Sequence, residues 1–217
     1  MAVLSEYMPP KDPLSVLYED GSIIVVDKPA GLLSVPGRGP HLADCLISRI
    51  ADAYPNVLLV HRLDRDTSGV MVFALTRDAQ KALGQQFERK QTQKTYVARV
   101  SGQLKADSGT VDLPVIVDWP NRPKHMVCHE TGKPALTEWR VVNRSAGETR
   151  VLLTPKTGRT HQLRLHMMAL KHPILGDPFY ASGADADYDR MMLHSETLSL
   201  THPSTGEPIK FHASAPF

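Results

Sequence analysis

No stretch of the 217-residue chain approaches the roughly 18 consecutive apolar residues that a membrane-crossing helix needs. The N-terminus, "MAVLSEYMPPKDP", has no apolar centre of the kind that directs secretion. Only two cysteines occur, Cys45 and Cys128, and they form no CxxC pair. Two free thiols suit a reducing cytoplasm better than a disulfide scaffold. No Walker sequence offers a phosphate cradle, so nucleotide hydrolysis has no support. Ser68 lies in "TSG" rather than in GxSxG, and "HRLD" comes without the Gly-rich loop and downstream Asn of a kinase. "HMVCHE" sets His125, Cys128 and His129 close together but lacks a convincing fourth ligand, so a zinc site is not expected.

Net charge is also small, at +2, but it is unevenly spread. Residues 1–60 carry 4 basic and 7 acidic side chains, whereas residues 61–100 carry 8 basic and 4 acidic. The positive segment opens on "HRLDRDTSG", which suits an anionic partner there. In that motif Asp64 is flanked by Arg62 and Arg65, with His61 nearby. Side chains in an extended segment alternate, so not all of them reach the carboxylate. Those that do would keep it ionised near neutral pH, fit to act as a nucleophile or base. A purely structural ion-pair network is the alternative.

"SIIVVDKPAG" predicts a short buried strand stopped by Pro29 and Gly31. Apolar residues at 42, 46, 47 and 50 predict a helix ending at Pro55. "NVLLV" and "GVMVFALT" predict strands on either side of the Asp64 motif. "TRDAQKALGQQFERK" predicts an amphipathic helix with Ala79, Leu83 and Phe87 on one face. "TYVARVSG", "GTVDLPVIV", "ALTEWRVVN" and "TRVLLTP" follow as strands with few helices between them. That order predicts an α+β fold with a mostly antiparallel sheet. The first 15 residues form an irregular arm, and no linker divides residues 16–217, which read as one domain. Residues 118–134, "DWPNRPKHMVCHETGKP", hold three prolines with Arg122, Lys124 and Lys133, the composition of a binding loop. A further cluster, "TGRTHQLRLHMMAL", predicts a helix capped by Thr160, with His161, Arg164 and Met168 on one face. Arg164 there could grip a carboxylate bidentately, or the helix is a surface helix with a fortuitous arginine.

Taken together, these segments resemble the RluA family of pseudouridine synthases from about Leu17 to Phe217. "HRLDRDTSG", "KTYVARV", "GRTHQLRLH", "HPILGDPFY" and "LHSETLSLTHP" match five family signatures in order. The resemblance is closest to short members that act on both RNA classes, because Asp64 comes too early for the N-terminal RNA-binding domain of many relatives. It implies a pseudouridine synthase fold with a central RNA-binding cleft, and isomerisation of uridine in a tRNA anticodon loop and a 23S rRNA hairpin loop. It implies a cytoplasmic enzyme, without cofactor or membrane, working as a monomer. Under that resemblance Asp64 is the nucleophile, and Tyr96 stacks on the flipped uracil and takes the proton from ring carbon 5. Arg164 would pair with Asp64, Leu193 would pack against the base, and Arg62 would enter the RNA stack. Arg122, Lys124, Arg159 and His161 would bind RNA. The rival readings are an RNA-binding module that has lost catalysis, which intact Asp64 and Tyr96 speak against, and an Asp-dependent hydrolase, which leaves the basic loop unexplained.

Overall fold

The computed structural model describes residues 7–217; the first six residues of the N-terminal arm lie outside the described residues. The rest of the arm has no regular structure up to β1 (Ser15–Glu19). Tyr7 ties it down, its hydroxyl donating to the Asp44 carbonyl at 2.8 Å and accepting from the Leu33 N–H at 3.0 Å. The described residues form two compact units, one of residues 7–93 with 197–214 and the other of residues 94–196 with 215–217.

In the first unit, β2 (Ile23–Lys28) pairs antiparallel with β1 on one side and with β4 (Ser68–Ala74) on the other. β2 begins with four consecutive buried apolar residues and β4 is buried throughout. A strand covered on both faces needs such an unbroken apolar run, rather than alternation. The short β3 (Leu58–Leu59) also pairs with β4, and β12 (Pro208–His212) pairs with Thr197–Thr201 of β11 (Leu193–Thr201). The helix predicted over the charged segment is α2 (Arg77–Glu88), capped by Thr76, whose side chain accepts from the Ala79 N–H. Its Ala79 and Leu83 are buried in the core cluster that includes Val70, Val72, Leu198 and Phe211, and its Phe87 packs half-buried against that cluster.

The helix expected from residue 42 to Pro55 is shorter than its periodicity. Leu42 belongs to a separate 3-10 turn, Pro40–Leu42, and α1 spans only Leu46–Ala51. Its start is set at Cys45, whose N–H is taken by the Ser48 hydroxyl at 3.0 Å, while the Leu46 N–H bonds the Leu33 carbonyl at 2.7 Å. Those donors are satisfied outside any preceding turn, so the helix does not extend backwards.

In the second unit, β5 (Gln93–Ser101), β10 (Glu148–Pro155), β9 (Leu136–Ser145) and β6 (Ser108–Asp112) lie side by side, all antiparallel. The expected strand "GTVDLPVIV" is two strands: β6 ends at Asp112, and β7 (Val115–Val117) pairs with β8 (His125–Val127) in a separate hairpin. Pro114 lies at the break, where it has no N–H to donate to a ladder. Of the helices, α3 (Gln162–Ala169) lies here, and six of its eight residues are buried. The fold is therefore α+β with mostly antiparallel strands.

Candidate active site

Between β3 and β4 the segment 61–67 has no regular hydrogen-bond ladder, yet its backbone is held at several points. Leu63 is anchored by Ser34, whose hydroxyl donates to the Leu63 carbonyl at 2.7 Å and accepts from its N–H at 3.2 Å. The Arg65 carbonyl accepts from the Gly31 N–H at 3.0 Å and from the Lys28 ammonium at 2.8 Å. The Thr67 N–H closes a turn onto the Asp64 carbonyl at 3.2 Å. His61 closes the other end: its Nε2 accepts from the Val72 N–H at 3.1 Å, and its ring stacks on Phe87 at 4.7 Å. An Nε2 that accepts fixes the neighbouring proton on Nδ1.

On this frame the side chains alternate. Arg62 is exposed, Leu63 is buried, and Asp64 is half-buried. Arg65 forks onto its neighbour Asp66, with Nε at 2.8 Å and Nη2 at 3.1 Å from its two oxygens. The guanidinium that follows Asp64 in sequence is thus engaged at position 66.

Lys28 is a buried charge that pattern reading passed over as the end of a strand. Its side chain is fully buried, and its ammonium donates to the carbonyls of Pro29, Leu32 and Arg65 at 2.9, 2.7 and 2.8 Å. Three donors meet three acceptors, which is what lets an ammonium lie out of water. The signal in the sequence was a lysine placed at the end of a strand that opens on four buried apolar residues.

In the second unit, Gly158 to His161 turn the chain into α3. Thr160 is not the cap: His161 occupies that position, in a left-handed conformation with φ 57°. Its Nδ1 shares a 2.7 Å hydrogen bond with the Tyr180 hydroxyl, which holds the ring in place. No side chain caps α3; Gln162, its first residue, instead ties the preceding turn to the neighbouring strand. Its Oε1 accepts from the Thr157 hydroxyl and the Arg159 N–H at 2.7 and 3.0 Å. Its Nε2 donates to the Leu136 carbonyl and the Thr137 hydroxyl, both at 3.0 Å. His166, one turn on, donates from Nε2 to the Leu113 carbonyl at 3.0 Å and accepts at Nδ1 from Thr137 at 2.8 Å. Burial lowers its pKa, which suits the neutral ring this pattern requires.

Arg164 lies on the buried helix, not on a surface one. Its Nε and Nη2 fork onto Asp177 at 2.7 and 2.8 Å, with both side chains almost wholly out of water. Asp177 Oδ1 also accepts the N–H groups of Phe179 and Tyr180 at 2.9 and 3.1 Å. The Arg164 guanidinium lies 5.2 and 5.1 Å from the Phe179 and Tyr180 ring centres. The signature "HPILGDPFY" thus supplies the counter-charge and the aromatic walls of this arginine. Tyr180 reaches further: its hydroxyl accepts from the His125 N–H at 2.8 Å and donates to the His125 carbonyl at 3.3 Å. Helix α3 and the basic segment 118–134 are therefore joined through one phenol. Arg159 adds a second link, its exposed side chain donating to the Pro134 carbonyl at 3.1 Å.

Tyr96 on β5 is buried and pairs in register with Leu153; Leu193 opens β11 and is buried as well. Lys94 stands two residues before Tyr96, hence on the same face of the strand. Burial pulls its pKa down, another feature that sequence reading passed over. Arg122 is exposed and Lys124 half-buried in the basic segment. Among the described residues, no three His, Cys, Asp or Glu side chains gather as a metal-binding group, and no helix is long and apolar enough to cross a membrane.

Known proteins resemble this chain over its length. The family model for RNA pseudouridylate synthase matches residues 22–169, a span that includes both the Asp64 turn and α3. The dual-specificity RNA pseudouridine synthase RluA of Escherichia coli strain K12 is 54% identical over 217 residues, 99% of each chain. Its counterpart from Yersinia pestis is 53% identical over 204 residues, 93% of this chain and 99% of that protein. Among solved structures, human RNA pseudouridylate synthase domain containing 1 superposes with a TM-score of 0.80 at 29% identity, covering 97% of this chain and 87% of that one. With half its sequence shared across nearly the full length and the family model matching residues 22–169, the chain belongs to the RNA pseudouridylate synthase family.

Proposed function

We propose that this isomerase converts uridine to pseudouridine in two RNA contexts, a tRNA anticodon loop and a 23S rRNA hairpin loop, with Asp64 as the nucleophile. The observation that carries the reading is the Asp64 turn itself. A half-buried carboxylate is carried by a backbone turn that Ser34, Gly31, Lys28 and Thr67 tie down, which supports a preorganised nucleophile. That the Escherichia coli and Yersinia pestis relatives are dual-specificity RNA pseudouridine synthases supports two substrate classes.

The reaction breaks the bond between uracil N1 and the ribose, turns the base, and joins ring carbon 5 to the same ribose carbon. The carbon-5 proton leaves, N1 gains one, and no electrons are exchanged. In this reading Tyr96 stacks on the flipped uracil and accepts the carbon-5 proton, while Leu193 packs the ring. Arg164 pairs with Asp64 and is itself held by Asp177. Arg62, exposed beside the nucleophile, enters the RNA stack where the uridine leaves, offsetting part of the few kcal/mol that unstacking costs. Arg122, Lys124, Arg159 and His161 hold the RNA, the first three through phosphates. Residues 16–217 act as one catalytic domain, working as a monomer in the cytoplasm.

The test is Asp64→Asn, assayed by tritium release from RNA labelled at uracil carbon 5 and by RNA affinity. Turnover should fall below about one part in a thousand, the scale of a missing key group, with affinity kept within a few-fold. Turnover near the parent's would remove Asp64 from the reaction, and release of free uracil by the parent would make the protein a hydrolase.

A further inference from the structure

The basic segment 118–134 carries a feature that phosphate contacts do not account for. Trp119 is 65% exposed, whereas the chain's other tryptophan, Trp139, is 7% exposed. Leaving an indole in water forgoes one of the largest burial gains available to a side chain. The backbone that carries the ring is also tied down. The Asp118 N–H bonds the Lys124 carbonyl at 2.9 Å, the Asn121 N–H bonds Asp118 at 3.1 Å, and the Lys124 N–H bonds Asn121 at 3.0 Å. The Asn121 amide adds a bond to the Asp118 carboxylate at 2.9 Å. At the end of this knot His125 is fastened on both sides by Tyr180.

One face of the indole carries the Arg122 guanidinium, 3.2 Å from the ring centre. A guanidinium lying flat on a ring keeps its N–H groups in its own plane, pointing outward. With so much of the indole exposed, its other face remains in water. An aromatic face beside a fork of outward donors matches the two parts of one nucleotide, a base to stack and a phosphate to hold.

We propose that Trp119 and Arg122 form a binding site for a single unpaired nucleotide of the RNA substrate. The site stacks any base, because every base has a flat π-face, and it grips the adjoining phosphate through Arg122. It therefore serves two RNA loops of different sequence without reading either. The site rests on the proposed function for its RNA substrate, but it concerns a contact separate from the chemistry at Asp64.

The experiment uses tryptophan fluorescence, with Trp139 buried as an internal reference. Binding of a substrate hairpin should quench Trp119 and protect it from iodide. A blunt duplex of the same stem should do neither. Trp119→Phe should abolish the quenching yet bind the hairpin within a few-fold of the parent. Trp119→Ala should bind about 5- to 150-fold more weakly, the worth of one base–aromatic stack. Hairpin affinity unchanged in Trp119→Ala, or equal protection by the blunt duplex, overturns the site. So does protection that rises with protein concentration in the absence of RNA, which would assign the indole to a second copy of the chain. If the parent binds hairpins through Trp119 yet forms no pseudouridine in them, the proposed function fails while the site stands.

Discussion

Replacing Asp177 with asparagine tests whether Arg164 is held by charge or merely by shape. The two side chains are isosteric at position 177, and the site is closed to water, with relative side-chain exposures of 2% for Arg164 and 0% for Asp177. The carboxylate accepts four hydrogen bonds, two from Arg164 and two from the N–H groups of Phe179 and Tyr180. An amide offers one oxygen. If that oxygen faces the two backbone donors, the new NH₂ meets the Arg164 Nε–H across about the 2.7 Å of the present bond. If it is flipped, the NH₂ meets two backbone N–H groups instead. Either way donors oppose donors in a dry site, and Arg164 loses the negative charge of Asp177. Breaking a buried pair from one side costs about 3–5 kcal/mol. At about 2–4 °C per kcal/mol for a chain of this size, Tm should fall by about 6–20 °C. The assay is urea unfolding of parent and variant, with a thermal scan beside it. Pseudouridine formation should fall as well, measured at a temperature where both are folded. A loss below about 1 kcal/mol, with parent-like activity, would refute the reasoning, since it would mean the site relaxes to admit the amide.

Tyr96→Phe keeps the ring proposed to stack on uracil and removes the hydroxyl proposed to accept the carbon-5 proton. RNA affinity should stay near that of the parent while product formation slows by about 10² to 10⁴, the usual worth of a general base; parent-like turnover would make Tyr96 a platform only. A third expectation concerns acid. Desolvation pushes the Asp20 pKa up, but the N–H groups of Ile23 and Ser22 and the hydroxyls of Ser22 and Tyr18 outweigh it, leaving a value of about 2 against an ordinary 3.8. Because the folded value lies below the unfolded one, its stabilisation is complete above pH 3.8 and is lost as pH falls through about 2. Asp20→Asn should flatten the fall of stability over that window, read by chemical denaturation at several pH values; an unchanged slope would assign acid sensitivity elsewhere.

Local pattern settled a good deal of this protein. Continuous apolar runs marked β2 and β4, and the spacing of Ala79, Leu83 and Phe87 marked the buried face of α2, because burial periodicity is written directly in residue order. Five ordered motifs gave the family, because residues that share chemistry recur at fixed spacing even when their contacts are unknown. Some boundaries escaped it. Leu42 kept helical spacing with α1, although the Ser48 hydroxyl ends the helix at Cys45, and Pro114 divided what had read as one strand. The contacts that organise the candidate site were decided only by tertiary structure, since each joins residues distant in the chain. Lys28 looked like the last residue of a strand until the fold brought the Arg65 carbonyl, 37 residues away, to its ammonium. Arg164 had no visible partner in its own motif, and Asp177, 13 residues on, became one through the turn that follows α3. Residue order fixes which groups are present, but a buried charge acquires meaning from its partners, and for Lys28 and Arg164 only the folded chain supplies them.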